Sequence, residues 1–163
     1  MRGFQQTLKV LHLGVAALGL YVSIEGQDKL GGQGDVQDYP AGSATPGFDK
    51  DAFISSAFIV TAIAVVQLAV LFYYHNYGGP VQNFRVAYFI LAMINLIFGA
   101  ILLQGASQLL HPGASADDTT SDNKKEVTGD AKKVAIGGAV LGGLIVLFNF
   151  TNVYHASYAM EGK

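Results

Sequence analysis

The chain has 163 residues, of which 51% are hydrophobic and only 13% are charged, and it contains no cysteine. Soluble domains carry about a quarter charged residues, so this composition indicates a membrane protein. A formal charge of −2 provides no basic surface for nucleic acid, and the lack of cysteine excludes disulfides, iron–sulfur clusters and thiol catalysis.

Four apolar segments are long enough to cross the ~30 Å hydrocarbon core of a bilayer, which takes about 20 helical residues. They are residues 6–24, 53–74, 84–110 and 134–158, and no Asp, Glu or Arg lies deep inside any of them. The sequence therefore predicts an all-α fold, a four-transmembrane-helix bundle that forms a single integral membrane domain.

The connections differ in length and polarity. Residues 25–52 and 111–133 are predicted to be polar loops, because they are too poor in apolar side chains to bury a core. The link between the second and third segments is a short turn that contains Gly78, Gly79 and Pro80. Four spans place both termini and this turn on one face, and the higher density of Lys and Arg on that short face predicts cytoplasmic termini.

Polar side chains inside the segments are the first candidate site. His12, Gln67 and Asn149 are predicted to share a layer roughly 10 Å from the terminal face, with Asn95 nearer the midplane. Such groups can form a relay or a binding site, because polar groups inside a membrane often mark pathways. Hydrogen bonding between helices is the favoured interpretation, because the segments lack the paired charges of a pump.

Small residues in the fourth segment are the second candidate. Gly138 and Gly142 form a GxxxG pair, and Ala139 and Gly143 add a second pair of small residues at the same spacing. Such pairs let a neighbouring backbone approach closely. They are expected to pack within the bundle, with a dedicated oligomer contact as the alternative.

Aromatic side chains gather where the segments meet the terminal face, beside Arg85. They are expected to form an interfacial belt, and a lipid- or sterol-binding patch is the alternative. The tyrosines of this predicted belt are Tyr73, Tyr74, Tyr77, Tyr88, Tyr154 and Tyr158, and Phe72 and Phe84 join them.

Motifs of enzymes are missing from the sequence. It contains no nucleophile elbow, P-loop, H-E-x-x-H pair or dinucleotide-binding fingerprint. We therefore expect no catalytic residues, no cofactor and no metal.

Two segments carry a resemblance to a known family. The first segment reads QQTLKVLHLGVAALGLYVS, and the third contains LAMINLIF from Leu91 to Phe98. Together with the topology, they resemble the MARVEL-type tetraspan membrane proteins, whose third helix often carries an L-D-x-L-N-x-x-F-like run. Asn95 and Phe98 match the Asn and the Phe of this run, while Ala92 stands in place of its acidic residue. The resemblance implies cytosolic termini and a role in organising membrane domains or trafficking.

Two other classes stay open. One is an accessory subunit of a large membrane assembly, such as a respiratory or ATP synthase complex, and the other is a small channel or carrier. The expected partners are membrane lipids and either other membrane proteins or a second copy of the chain.

Overall fold

The computed structural model describes residues 2–30, 50–77, 81–110 and 129–161, with side chains described at 6–30, 50–73, 76–77, 83–110 and 129–148. All regular structure in these ranges is helical. Four helices follow one another, each long and apolar enough to cross a membrane, and the predicted all-α four-helix bundle is confirmed.

Each helix contains one of the apolar segments and runs beyond it. The helices are α1 (Arg2–Lys29), α2 (Lys50–Tyr77), α3 (Val81–Leu110) and α4 (Gly129–Glu161). Residues 25–29, 50–52 and 129–133, which the sequence predicts as loop, are therefore helical. Backbone hydrogen bonds can extend a helix through polar residues. Apolar composition identifies only the part of the helix that lies in the hydrocarbon core of the bilayer.

The helices form a four-sided, antiparallel arrangement. α1 packs against α2 and α4, and α3 packs against the same two helices, so that α1 and α3 lie diagonally across the bundle. A Cβ atom built on Gly26, near the end of α1, would lie 3.6 Å from Ile54 near the start of α2 and 3.5 Å from Val134 near the start of α4, so both neighbours run opposite to α1.

One side of every helix is buried along a seam whose residues are spaced alternately three and four apart. In α3 the buried residues of this seam are Tyr88, Ala92, Asn95, Gly99, Leu102, Ala106 and Leu109. The same spacing runs from Leu8 to Gly26 in α1, from Phe53 to Leu71 in α2 and from Ala131 to Ile145 in α4. A repeat of 3.5 residues keeps one face of each helix turned to its neighbours in a left-handed bundle.

The outer surface of the bundle is apolar. Large hydrophobic side chains such as Leu13, Phe58, Ile97 and Leu147 are exposed, and every helix contributes some of them. The candidate membrane spans within the helices are Gln6–Lys29, Lys50–Tyr73, Asn83–Leu110 and Gly129–Phe148. The chain is a multi-pass integral membrane protein.

Candidate functional site in the bundle core

Small residues bring α3 and α4 into backbone contact. A Cβ atom built on Gly142 would lie 2.7 Å from the carbonyl oxygen of Gly99 and 2.8 Å from the backbone nitrogen of Leu103. Neither backbone atom can yield without moving α3, so only glycine fits at position 142.

The other small residues of α4 differ in their surroundings. A Cβ atom on Gly138 would run into the Phe53 ring, whereas one on Gly143 would meet nothing within 4 Å. Ala139 is partly buried against the apolar core. Gly138 and Gly142 thus serve packing inside the bundle, and Gly143 lies at its edge.

A hydrogen bond joins the diagonal helices α1 and α3. Nε2 of His12 contacts the hydroxyl of Tyr88, and the two rings meet edge to face with their centroids 5.7 Å apart. Both side chains are buried, with exposed fractions of 3% for His12 and 1% for Tyr88. Since each helix also turns its seam inward, this bond crosses the centre of the bundle.

The prediction that Tyr88 belongs to the aromatic belt is therefore wrong, because its ring is buried in the bundle core. The belt prediction rested on depth alone, whereas the rotation of α3 turns this ring away from lipid. Tyr88 lies four residues before Ala92 and seven before Asn95, on the same buried seam. That spacing is the sequence signal that predicts its inward orientation.

Gln67 and Asn95 are buried amides in the same half of the bundle. Gln67 is 1% exposed and Asn95 is 7% exposed. Neither side-chain atom of the Gln67 amide has a hydrogen-bond partner among the described residues, and the same is true of Oδ1 of Asn95. A buried polar group without a partner is costly, especially in a membrane.

The register between α1 and α2 places Gln67 close to the level of His12. Nζ of Lys9 lies 4.3 Å from the centroid of the Phe72 ring, and Gly26 contacts Ile54 further along the pair. Counting between these contacts on antiparallel helices aligns His12 with Leu68 or Ala69, within two residues of Gln67. We call the set His12, Gln67, Tyr88 and Asn95 the polar layer. Asn149, which the sequence places at the depth of His12 and Gln67, lies in α4, but its side chain is outside the described residues.

A small cavity adjoins the polar layer. Its volume is about 20 Å³, it is partly open at the surface, and α1, α3 and α4 surround it. Its lining residues are Leu11, His12, Val15, Asn95, Leu144, Ile145 and Phe148. His12 and Asn95 are the polar groups of this otherwise apolar lining.

The remaining buried polar side chains bond to their own helices. Ser23 and Ser56 each donate a hydrogen bond of 2.6 Å to the carbonyl oxygen four residues earlier in the same helix. No Asp, Glu, Lys or Arg is among the buried side chains of the described ranges.

Aromatic and basic side chains meet at the terminal end of the bundle. The Tyr73 ring is 55% exposed, and its centroid lies 5.1 Å from that of Tyr77 and 5.9 Å from that of Phe84. Arg85 is half-buried beside them. The side chains of Tyr74, Tyr154 and Tyr158 lie outside the described residues.

Comparisons of the chain with protein-family models, curated proteins and solved structures found no match. The resemblance to MARVEL-type proteins stays a prediction.

Proposed function

We propose that this chain is a non-enzymatic four-span protein that organises membrane domains or a membrane assembly through helix packing. The observation that carries this proposal is the interior of the bundle. Its fully buried residues, where described, include no Asp, Glu, Lys or Arg, and the half-buried Arg85 lies near the terminal end. Gly99 and Gly142 bring α3 and α4 together beside the polar layer. Pumps and ion carriers normally place charged residues along such an interior.

The outer surface supports the same proposal. Apolar side chains cover all four helices, and Gly14 on α1 is an exposed position where nothing lies within 4 Å of a Cβ atom. Small residues on a lipid-facing surface let a helix of another protein, or of a second copy, approach closely. We further propose that both termini face the cytoplasm, as the distribution of Lys and Arg favours.

The mass of the particle after gentle extraction tests this function. We expect native mass spectrometry of the chain, extracted in lipid nanodiscs, to detect a small homo-oligomer with bound lipid. Recovery only as a stoichiometric part of a much larger heteromeric particle would contradict the proposal and favour an accessory subunit. Flux through liposomes that is lost in His12→Ala would instead favour a carrier.

A further inference from the structure

The cavity beside the polar layer opens to the lipid-facing surface between α1 and α4. The described residues that line it come from α1, α3 and α4. Three of them are not fully buried, and these lie on α1 and α4 alone, so they form the mouth of the cavity. The mouth residues are Leu11, Leu144 and Phe148. A group that enters the cavity from outside therefore passes between apolar side chains.

The crevice between α1 and α4 is closed near one end and open near the other. A Cβ atom built on Gly137 of α4 would lie 3.1 Å from Cγ2 of Val22, which is fully buried. Val15 lies seven residues before Val22 on the same seam of α1, and it lines the cavity. Leu11 and Val15 lie roughly 8 and 14 Å along the helix from Gln6, where the candidate span starts. The open part of the crevice thus lies at the depth of lipid acyl chains.

The chemistry of the lining favours a hydrocarbon ligand over water. A buried water molecule normally makes hydrogen bonds to several polar partners. The two polar residues of the lining are poorly placed for this, because Nε2 of His12 already bonds to Tyr88 and Oδ1 of Asn95 has essentially no exposed surface. The other lining residues are apolar, and they lose dispersion contacts when the space beside them is empty.

We propose that this cavity binds one methyl or methylene group of a lipid acyl chain, and that the rest of the chain lies along the mouth between α1 and α4. The volume of about 20 Å³ sets this limit, since a water molecule needs roughly 10–15 Å³ and a methyl group is only slightly larger than water. The bound group restores the dispersion contacts of the lining. The site lies within one copy of the chain, so it does not depend on the assembly in the proposed function.

Nuclear magnetic resonance of valine methyl groups tests this site. The full chain is deuterated except for its ¹³C-labelled valine methyl groups, and single copies are placed in nanodiscs of phosphatidylcholine with protonated acyl chains. The signals of Val15 and Val22 are identified by their loss in Val15→Ile and Val22→Ile. We expect a cross-peak between the Val15 methyl groups and acyl-chain protons. We expect none for Val22, which is buried where the crevice is closed.

Every other outcome of this measurement overturns the proposal. A cross-peak from Val15 to water in place of lipid shows that the cavity is hydrated, and the lack of both shows that it is empty. Equal lipid cross-peaks at Val15 and Val22 show that acyl chains contact the seam without selecting this cavity. The Val15 cross-peak should also disappear when the acyl chains are deuterated, and its persistence would assign it to another group.

Two glycine substitutions test entry through the mouth. Gly14 lies one turn after Leu11 on α1, and a Cβ atom built on it would meet nothing within 4 Å. A long side chain on a helix leans toward the preceding turn, so Gly14→Leu should cover the mouth and remove the lipid cross-peak of Val15. Gly143→Leu is the matched control, because Gly143 has the same open space and is not among the residues that line the cavity. The cross-peak should persist in this control, and an undiminished cross-peak in Gly14→Leu would contradict entry between α1 and α4.

Discussion

At the scale of single residues, the bond between His12 and Tyr88 does what apolar packing between neighbours cannot do. The bond joins two residues that are 76 apart in sequence and lie on helices diagonally opposite each other in the bundle. A hydrogen bond has a direction, so it fixes the rotation of both helices, whereas apolar contacts tolerate small rotations. Hydrogen bonds between helices in membranes contribute about 0.6 to 2 kcal/mol each.

Tyr88→Phe is expected to lower the free energy of unfolding by about 1 kcal/mol, because it removes the hydroxyl and keeps the buried ring. Steric trapping in bicelles measures this change. Tyr73→Phe is the control, because that ring is largely exposed, and it should change the free energy of unfolding very little. In a double-mutant cycle with His12→Leu, Tyr88→Phe should have almost no further effect. Full additivity of the two losses would show that the pair does not interact.

The depth of these polar residues could be predicted from the sequence, and their partners could not. His12 and Gln67 lie at similar levels because each is a fixed number of residues from a span end. The partner of His12 depends on how α3 is rotated, which is decided by the fit of Gly99 and Leu102 against neighbouring helices. Depth alone places Tyr88 at the lipid interface. The seven-residue spacing from Tyr88 to Asn95 indicates that the Tyr88 side chain faces the interior of the bundle.

At the scale of helices, the contact between α3 and α4 depends on glycine at one side of α4. The backbone of α3 occupies the space that a side chain at position 142 would need. Position 143 is the next residue of the same helix, and a side chain there would meet nothing within 4 Å. Alanine substitutions at these two positions therefore distinguish the effect of close helix packing from the effect of intrinsic helix propensity.

Gly142→Ala should lower the free energy of unfolding by about 1 to 3 kcal/mol, because overpacking pushes α3 away from α4. Gly143→Ala is the matched control and should leave this free energy unchanged or raise it slightly, since alanine favours helix. Unfolding in mixed micelles, followed by energy transfer between dyes on α3 and α4, measures both variants. Equal effects of the two substitutions would show that close approach at Gly142 is unimportant.

The number and order of the helices could be predicted from apolar length, because few other structures satisfy backbone hydrogen bonds inside a bilayer. The ends of the helices could not be predicted in this way. α1 continues through Glu25 to Lys29, and α4 starts at Gly129, in stretches whose polar side chains suit water. The GxxxG pair indicates close packing, but only the structure shows that Gly142 faces Gly99.

At the scale of the whole molecule, four crossings of the membrane determine which helix ends lie on the same side. The antiparallel helices place the start of α1, the end of α2 and the start of α3 at one end of the bundle. The end of α1, the start of α2 and the start of α4 lie at the other end. Lys and Arg are less dense along the long connections of this second end than at the terminal end, and this difference is the basis of its proposed location away from the cytoplasm.

Cysteine accessibility tests these crossings most directly, because the natural chain contains no cysteine. Single cysteines are introduced at exposed positions as Asn76→Cys at the terminal end and as Asp28→Cys and Lys132→Cys at the opposite end. In sealed vesicles of one orientation, a membrane-impermeant maleimide should label Asp28→Cys and Lys132→Cys together and leave Asn76→Cys unlabelled, or the reverse. If Asn76→Cys and Lys132→Cys are labelled from the same side of an intact membrane, the four-span account is contradicted.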